Sequence, residues 1–187
     1  MKALLAVSGA IDALSTFIGR LTFWLTLFMV LVGAFNVVTR YVGRAFGLSF
    51  GGTLYIALQT YAYNLVFLLA AAYVLKVDGH VRVDILFSNL SERARAWIDI
   101  LGTLLFLFPF CFMGFALTRA YVATSWRQRE VNLNAGGLPI YPIKTVILIA
   151  FALLALQGVS EIIKRAAFLR GLRAERHGRV TESTEAL

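Results

Sequence analysis

Stretches without charged residues mark four apolar segments along the chain. They cover residues 21–39, the larger part of 45–75, 100–118 and 145–160, and charged residues stand on either side of each stretch. A helix that crosses a hydrocarbon core of about 30 Å needs about 20 apolar residues. The pattern therefore predicts four transmembrane helices, with spans at roughly 21–42, 54–76, 97–121 and 141–164, which together form a transmembrane domain over residues 20–168.

Two further helices are predicted at the membrane surface. The segment 1–19 is amphipathic, with apolar residues at helical spacing at Leu4, Val7, Ile11, Leu14 and Ile18. The glycine-containing stretch 45–52 is expected to form a loop and a short interfacial helix before the second span. The polar tail 169–187 is expected to be cytoplasmic and partly disordered. The predicted fold class is an all-α membrane protein with four transmembrane helices and these two surface helices.

Local signals refine the spans. Ser91 followed by Glu92 predicts a capped start for the third helix. Pro109 lies near the middle of the third span, where it removes a backbone donor and is expected to kink the helix. Trp24 and Trp97 stand near span ends and are predicted to be aromatic anchors at the membrane interface.

Composition and charge exclude several classes of protein. Hydrophobic residues make up 59% of the 187 residues and charged residues 15%, too few for the surface of a soluble domain. The net charge of +8 does not indicate nucleic-acid binding, because the basic residues flank apolar segments and do not form one patch. The single cysteine, Cys111, cannot form an internal disulfide and is interpreted as a small buried apolar residue.

The distribution of basic residues predicts the orientation. Twelve of the 18 Lys and Arg residues fall on one side if the N-terminus lies in the cytoplasm, and loops rich in Lys and Arg stay inside. Both termini are therefore predicted to be cytoplasmic, in a bacterial inner membrane.

The central stretches of the four spans, residues 21–39, 54–75, 100–118 and 145–160, contain no Asp, Glu, Lys, Arg or His. Ion-coupled transport and proton relays need such groups within the membrane, so this chain is not expected to perform them alone. His80 and His177 lie outside the spans, which argues against a haem-carrying anchor. Two interpretations in which the chain does not need a larger transport subunit remain open: an independent small transporter or channel, and a redox anchor. No enzymatic activity, cofactor or metal is predicted.

Four Asn and Gln residues lie in the spans: Asn36, Gln59, Asn64 and Gln157. They can form hydrogen bonds between helices of this chain, which is the favoured interpretation, or contact a partner subunit.

Two loops hold the candidate functional residues. The loop after the second span contains Asp78, Gly79, His80, Arg82 and Asp84. Its spacing matches no specific metal motif, so the favoured interpretation is a structural and topological loop in which Gly79 turns the chain. The loop between the third and fourth spans is predicted either to dock a soluble periplasmic partner or to connect two helices. Its candidate contact residues are Trp126, Arg127, Arg129, Tyr141 and Lys144.

The motifs in these loops resemble the small membrane subunit of the tripartite ATP-independent periplasmic (TRAP) transporters, the DctQ-like family. The resemblance covers roughly residues 10–168. It is carried by Asp78–Ile85, by Ala96–Asp99, and by Ser125–Arg127 followed by Asn134–Pro139 and Tyr141–Lys144; the segment Gln157–Ile163 is also similar. One departure is Ala57, which stands where family members often have a glutamate.

The resemblance implies a division of labour. A large membrane subunit holds the substrate and sodium sites, a periplasmic binding protein delivers the substrate, and the small subunit widens the fixed scaffold in the lipid bilayer. The combination of motifs is similar to the subgroup associated with 2-oxo acids, related hydroxy acids and mannitol or haloaromatic compounds, so sodium-coupled uptake of an organic acid is expected.

Overall fold

The computed structural model describes residues 2–47, 52–79, 90–132 and 138–171, and five helices dominate this part of the chain. In chain order the elements are α1 (Lys2–Ala45), α2 (Thr53–Lys76), α3 (Glu92–Gly102), a π-helical turn (Thr103–Leu107), α4 (Phe108–Gln128), β1 (Val131–Asn132), β2 (Leu138–Pro139) and α5 (Tyr141–Leu169).

Four helical segments in the described residues are long and apolar enough to cross a membrane: Lys2–Ala45, Thr53–Lys76, Glu92–Gln128 and Tyr141–Leu169. The third combines α3, the π-helical turn and α4. The predicted all-α membrane fold with four spanning helices is confirmed. Helix α5 is central, because it packs against α1, α2, α3 and α4.

The first helix differs from the expected division into a surface helix and a span. Residues 2–45 form one helix of 44 residues, so no boundary appears at residue 19. At 1.5 Å per residue this helix is about 66 Å long, more than twice the hydrocarbon thickness. The helix continues because hydrogen bonds hold its first part against α5, as at Ser8 and Ser160, whose Oγ atoms are 2.7 Å apart.

A seven-residue repeat explains how α1 packs. Its buried residues include a series spaced by multiples of seven: Ser8, Ser15, Thr22, Asn36 and Gly43. A seven-residue repeat keeps one seam of a helix facing its neighbours along its whole length. Small and polar side chains on that seam permit close approach between helices. The apolar residues Leu4, Val7 and Leu14 lie off this seam and are exposed.

The third segment accommodates its proline through a wider turn. The π-helical turn Thr103–Leu107 ends two residues before Pro109, which is the second residue of α4. A π-helical turn changes the hydrogen-bond spacing, which is how a helix continues past a residue that lacks an N–H. At its start, the Ser91 Oγ accepts a hydrogen bond from the Ala94 N–H at 3.3 Å, which confirms the predicted cap.

Glycines set the closest helix contacts. A Cβ atom at Gly19 would lie 2.5 Å from Cγ of Tyr73, so α1 and α2 approach each other more closely here than any side chain at position 19 would allow. A Cβ atom at Gly114 would lie 2.4 Å from the Phe151 ring, where α4 meets α5. These residues fix the approach of the helices through van der Waals packing.

The bundle has two chemically different ends. We call the end with the first turns of α1 and the last turns of α5 the terminal end, and the end with β1 and β2 the hairpin end. Cys111 lies between them and is buried, as expected.

Candidate partner-docking site

A short β-hairpin, which the sequence did not predict, lies between α4 and α5. Strands β1 and β2 are antiparallel, with Val131 opposite Pro139 and Asn132 opposite Leu138. The Ile140 N–H donates to the Glu130 carbonyl at 2.9 Å and closes the base of the pair. Each strand has only two residues, too few for a periodic signal in the sequence. The pairing fixes the distance between the end of α4 and the start of α5.

Helix α2 holds the hairpin from one side. The Tyr61 hydroxyl lies 3.3 Å from the carbonyl oxygen of Leu138 and 3.2 Å from that of Pro139, and it donates to this pair of acceptors. Strand β2 is therefore attached to α2 as well as to strand β1 and to the helix that follows it.

An aromatic pair joins α4 to α5 beside the hairpin. The ring centroids of Trp126 and Tyr141 are 4.5 Å apart, and the planes are tilted by 58°. The Trp126 indole N–H donates to the Thr145 hydroxyl at 2.8 Å. The indole is therefore fixed in orientation while half of the residue, 50%, stays exposed. A rigid, half-exposed aromatic side chain is the type that protein interfaces favour.

An ion pair lies beneath this surface. The Lys144 ammonium is 2.5 Å from the Glu130 carboxylate, and it lies 4.0 Å from the centre of the Tyr121 ring. The Ser125 hydroxyl donates to the same carboxylate at 2.7 Å. The hydrogen bonds from Lys144 and Ser125 hold the pKa of Glu130 below its usual range. The pair joins the start of the hairpin to the first turn of α5.

The candidate contact residues divide into two groups. Trp126, Arg127 and Arg129 are exposed, and they form the outer surface of the site. Lys144 is buried, with 8% of its surface exposed, and its charge is used within the chain. This burial argues against the expected direct contact between Lys144 and a partner. Lys144 instead positions Glu130 at the start of the hairpin. Tyr141 is half-buried and supports Trp126. What remains exposed is a basic and aromatic surface on a rigid base.

The terminal end holds a polar network that sequence reasoning missed. Asp12 Oδ1 accepts hydrogen bonds from Ser160 at 2.8 Å and from Gln157 at 3.0 Å, and Asp12 Oδ2 pairs with Lys164 at 3.3 Å. Ser15 donates to the Gln157 side-chain oxygen at 2.6 Å. The sequence signal was the seven-residue repeat of small polar residues in α1, which marks the face that packs.

Neighbouring contacts extend this network across the terminal end. Lys76 at the end of α2 hydrogen-bonds the Thr16 hydroxyl, and Arg165 pairs with Asp99 at 3.2 Å. The four spanning segments are thus joined by polar contacts at this end.

The four Asn and Gln residues of the spans have different surroundings in the structure. Gln157 bonds to Ser15, Asp12 and Glu161, which confirms the interpretation as an interhelical contact. Within the described residues, Asn36, Gln59 and Asn64 form no side-chain hydrogen bond, and Asn36 Oδ1 is buried without a partner. The favoured interpretation is therefore correct only for Gln157.

The end of α2 turns at Asp78 and not at Gly79. Asp78 has a φ of 57°, and the N–H groups of Asp78 and Gly79 donate to the carbonyls of Leu75 and Val74. This is the Schellman arrangement, with an aspartate in the left-handed position that glycine usually takes. His80, Arg82 and Asp84 lie outside the described residues, so the structure does not test the metal alternative. Within the described part of the chain, no three His, Cys, Asp or Glu side chains form a group that could hold a metal ion.

The two predicted interface anchors are exposed, whereas the position of Ala57 is buried. Trp24 and Trp97 are 64% and 55% exposed, so both are free to act as interface anchors. Ala57, which stands where members of the family that the chain resembles often have a glutamate, is buried. A carboxylate there would need a partner inside the bundle.

Comparison with known proteins assigns the chain to one group. The family model described as "Tripartite ATP-independent periplasmic transporters, DctQ component" matches residues 29–168, which is 140 of the 187 residues. No curated protein and no solved structure matches the chain significantly.

Proposed function

Because the chain belongs to the DctQ family of TRAP transporter components, we propose that it is the small, fixed membrane subunit of a TRAP transporter. In this role it supports a large membrane subunit that takes up an organic acid of the 2-oxo or hydroxy acid class together with sodium. The observation that carries the proposal is the family match over 140 residues. The family consists of transporter components and not of enzymes.

The distribution of charge supports a scaffold role. In the described residues, the ion pairs lie at the two ends of the bundle, with Glu130 and Lys144 at the hairpin end and Asp12 and Lys164 at the terminal end. The stretches between them, 21–39, 54–75, 100–118 and 145–160, carry no ionisable side chain apart from tyrosine and cysteine. Sodium binding and the movement of an anionic substrate need polar sites in the membrane, which the large subunit must supply.

Orientation follows from the charge asymmetry. With both termini in the cytoplasm of a bacterial cell, the hairpin end faces the periplasm across the inner membrane. The exposed Trp126, Arg127 and Arg129 then face the compartment in which the substrate-binding protein diffuses. A basic surface of this kind fits an acidic patch on that protein. Attraction between such patches accelerates association and is weakened by salt.

Copurification from the native host tests the scaffold role. A tag on this chain, extracted in mild detergent at native expression, should recover a large polytopic membrane protein. The pair reconstituted in liposomes with the binding protein should show sodium-dependent uptake, and this chain alone should show none. Recovery of this chain without any polytopic partner, or saturable flux through this chain alone, would contradict the proposal.

A charge variant tests docking at the hairpin end separately. Arg127→Glu should weaken binding of the substrate-binding protein to the reconstituted pair and reduce its salt dependence. Arg170→Glu at the terminal end is the matched control and should leave that binding unchanged. Equal effects of the two variants would refute docking at the hairpin end while leaving the scaffold role intact.

A further inference from the structure

The first turns of α1 extend beyond the end of α2. A Cβ atom at Gly33 would lie 3.0 Å from the side-chain nitrogen of Gln59, which is one contact between the two helices. A second contact is the hydrogen bond between Thr16 and Lys76, the last residue of α2. Both helices advance 17 residues between these contacts, so they run side by side in opposite directions. Residues 2–15 of α1 therefore continue past the point where α2 ends, and we call them the α1 arm.

The α1 arm crosses α5 obliquely. The Oγ atoms of Ser8 and Ser160 are 2.7 Å apart, and Ser15 donates to Gln157 at 2.6 Å. The two contacts are seven residues, or about 10.5 Å, apart on α1 but only three residues, or about 4.5 Å, apart on α5. Helices that run side by side advance equally, as α1 and α2 do. The arm thus runs across α5 where the charge-free stretch of α5 ends at Glu161.

The two flanks of the arm differ in chemistry. Successive residues of a helix are rotated by about 100°, so positions on either side of the serine seam face in nearly opposite directions. The apolar flank consists of Leu4, Val7, Ile11 and Leu14. The polar flank consists of Lys2, Ala6, Gly9 and Ala13. Every residue of the polar flank is exposed, and Leu4, Val7 and Leu14 are 49%, 51% and 42% exposed.

The contacts of Asp12 show which way each flank faces. Asp12 lies three residues after Gly9, between the seam and the polar flank. Its Oδ2 atom pairs at 3.3 Å with Lys164, which lies beyond Glu161 on the charged part of α5. The polar flank therefore faces the charged end of α5. The apolar flank faces the other way, toward the charge-free stretch 145–160.

The apolar flank continues into the spanning part of α1. Exposed apolar residues recur every seven positions, at Val7, Leu14, Leu21, Phe28 and Phe35, and each is between 42% and 52% exposed. A seven-residue repeat keeps nearly the same side of a helix in view along its length. The last three of these residues lie in the charge-free stretch 21–39, which crosses the hydrocarbon. The side of α1 that meets the membrane interior thus extends along the arm.

We propose that the α1 arm lies along the membrane surface at the terminal end, with its apolar flank embedded in the lipid of the bilayer that the four helices span. Amphipathic helices in this position bury their apolar side about 5–10 Å into the boundary between head groups and acyl chains. The polar flank faces head groups and water, where Lys2 contacts anionic phosphates. A helix of 44 residues then fits the membrane because its first part runs beside the bilayer and does not project from it. The proposal goes beyond the scaffold role and does not depend on the large subunit.

Site-directed spin labelling of the full chain tests this placement. Cys111 is replaced by alanine, and single cysteines at exposed positions carry the label: Val7→Cys and Leu14→Cys on the apolar flank, with Ala6→Cys and Ala13→Cys as matched controls on the polar flank. The protein is reconstituted in vesicles of phosphatidylethanolamine and phosphatidylglycerol. Collisions with oxygen, which concentrates in hydrocarbon, are compared with collisions with a water-soluble nickel chelate. Phe28→Cys, in the spanning stretch, supplies the hydrocarbon reference.

Each outcome of this comparison has a defined meaning. Positions 7 and 14 should collide mainly with oxygen, and positions 6 and 13 mainly with the nickel chelate. Nickel collisions at all four positions would show an arm that projects into water, and oxygen collisions at all four would show an arm inside the hydrocarbon. Little access of either reagent at positions 7 and 14 would show that a second copy of the chain covers the flank. Each of these three results overturns the proposal.

The depths of two labels supply a second measurement. Positions 7 and 14 lie about 10.5 Å apart along the helix, so an arm that stands along the membrane normal separates their depths by about 10 Å. The oblique crossing of α5 predicts a difference in depth below about 6 Å. A difference of about 10 Å overturns the proposal even if both labels contact lipid. None of these results bears on the scaffold role, which the copurification experiment tests separately.

Discussion

Asp12 should be the residue whose removal most weakens the attachment of α1 to α5. The change to consider is Asp12→Ala. It deletes the acceptor for Ser160 at 2.8 Å and for Gln157 at 3.0 Å, and it breaks the ion pair with Lys164. Glu161 remains within 3.1 Å of Gln157 and still pairs with Lys164, so neither partner loses every contact.

The expected loss follows from these contacts. Hydrogen bonds between membrane helices contribute about 0.6 kcal/mol each on average. Hydrogen bonds to charged groups in soluble proteins contribute about 1.5 kcal/mol or more. Two bonds to a carboxylate between membrane helices lie between these limits and together contribute about 2 kcal/mol. The ion pair, with side chains 24% and 18% exposed, adds no more than about 1 kcal/mol. Asp12→Ala should therefore destabilise the bundle by about 2–3 kcal/mol. Asp12→Asn retains both acceptor contacts and should lose less than half of that.

Reversible unfolding in mixed micelles measures these differences. Leu14→Ala, on an exposed position of the same helix, is the matched control and should change the free energy of unfolding by less than about 0.5 kcal/mol. A double-mutant cycle with Lys164→Ala isolates the ion pair. If Asp12→Ala is no more destabilising than Leu14→Ala, the network does not hold α1 to the bundle and the argument is refuted.

Three further predictions concern the packing and the hairpin end. Gly19→Ala should lower the thermal midpoint by overpacking the ring of Tyr73, whereas Gly9→Ala, which has open space around it, should raise the midpoint by improving helix propensity. Arg129 has a φ of 46°, a left-handed conformation that is costly for residues other than glycine. Arg129→Gly should therefore raise the free energy of chemical unfolding by about 1 kcal/mol. A lower free energy of unfolding would show that contacts of the Arg129 side chain outweigh the backbone strain. Because the folded-state pKa of Glu130 is depressed, its pairing with Lys144 stabilises the fold above the unfolded glutamate pKa and is lost as the pH falls through the lower folded value. The emission of Trp126, followed during acid titration with Trp24→Phe and Trp97→Phe as background, should therefore change only below the usual glutamate range, and Glu130→Gln should abolish that transition.

Much of the fold could be read from local sequence. The spans follow from charge-free stretches, because hydrocarbon penalises ionised groups and fixes the length of a crossing helix. The cap at Ser91 depends on neighbours within three residues and was predictable for the same reason. The candidate surface around Trp126 could also be proposed from sequence, because aromatic and basic residues cluster in one loop.

The features that sequence reasoning misjudged depend on contacts between residues that are far apart in the sequence. Lys144 was expected to face outward, yet it is buried beside Glu130, 14 residues away. Residues 1–19 were expected to form a separate surface helix, because Leu4, Val7 and Leu14 suggested an apolar face. The packing face is the polar one, since Ser8 and Ser15 find partners in α5 more than 140 residues later.

The sequence by itself determined the number of spanning helices and the family to which the chain belongs. The number of spans depends on composition over a window of about 20 residues, because hydrocarbon thickness acts on every such window independently, and the family follows from the motifs in the loops. Only the tertiary structure decided that α1 is one continuous helix and that Asp12 bonds to α5. Those facts depend on which helices become neighbours. The arrangement of the helices alone decides whether polar side chains far apart in the sequence form hydrogen bonds with each other.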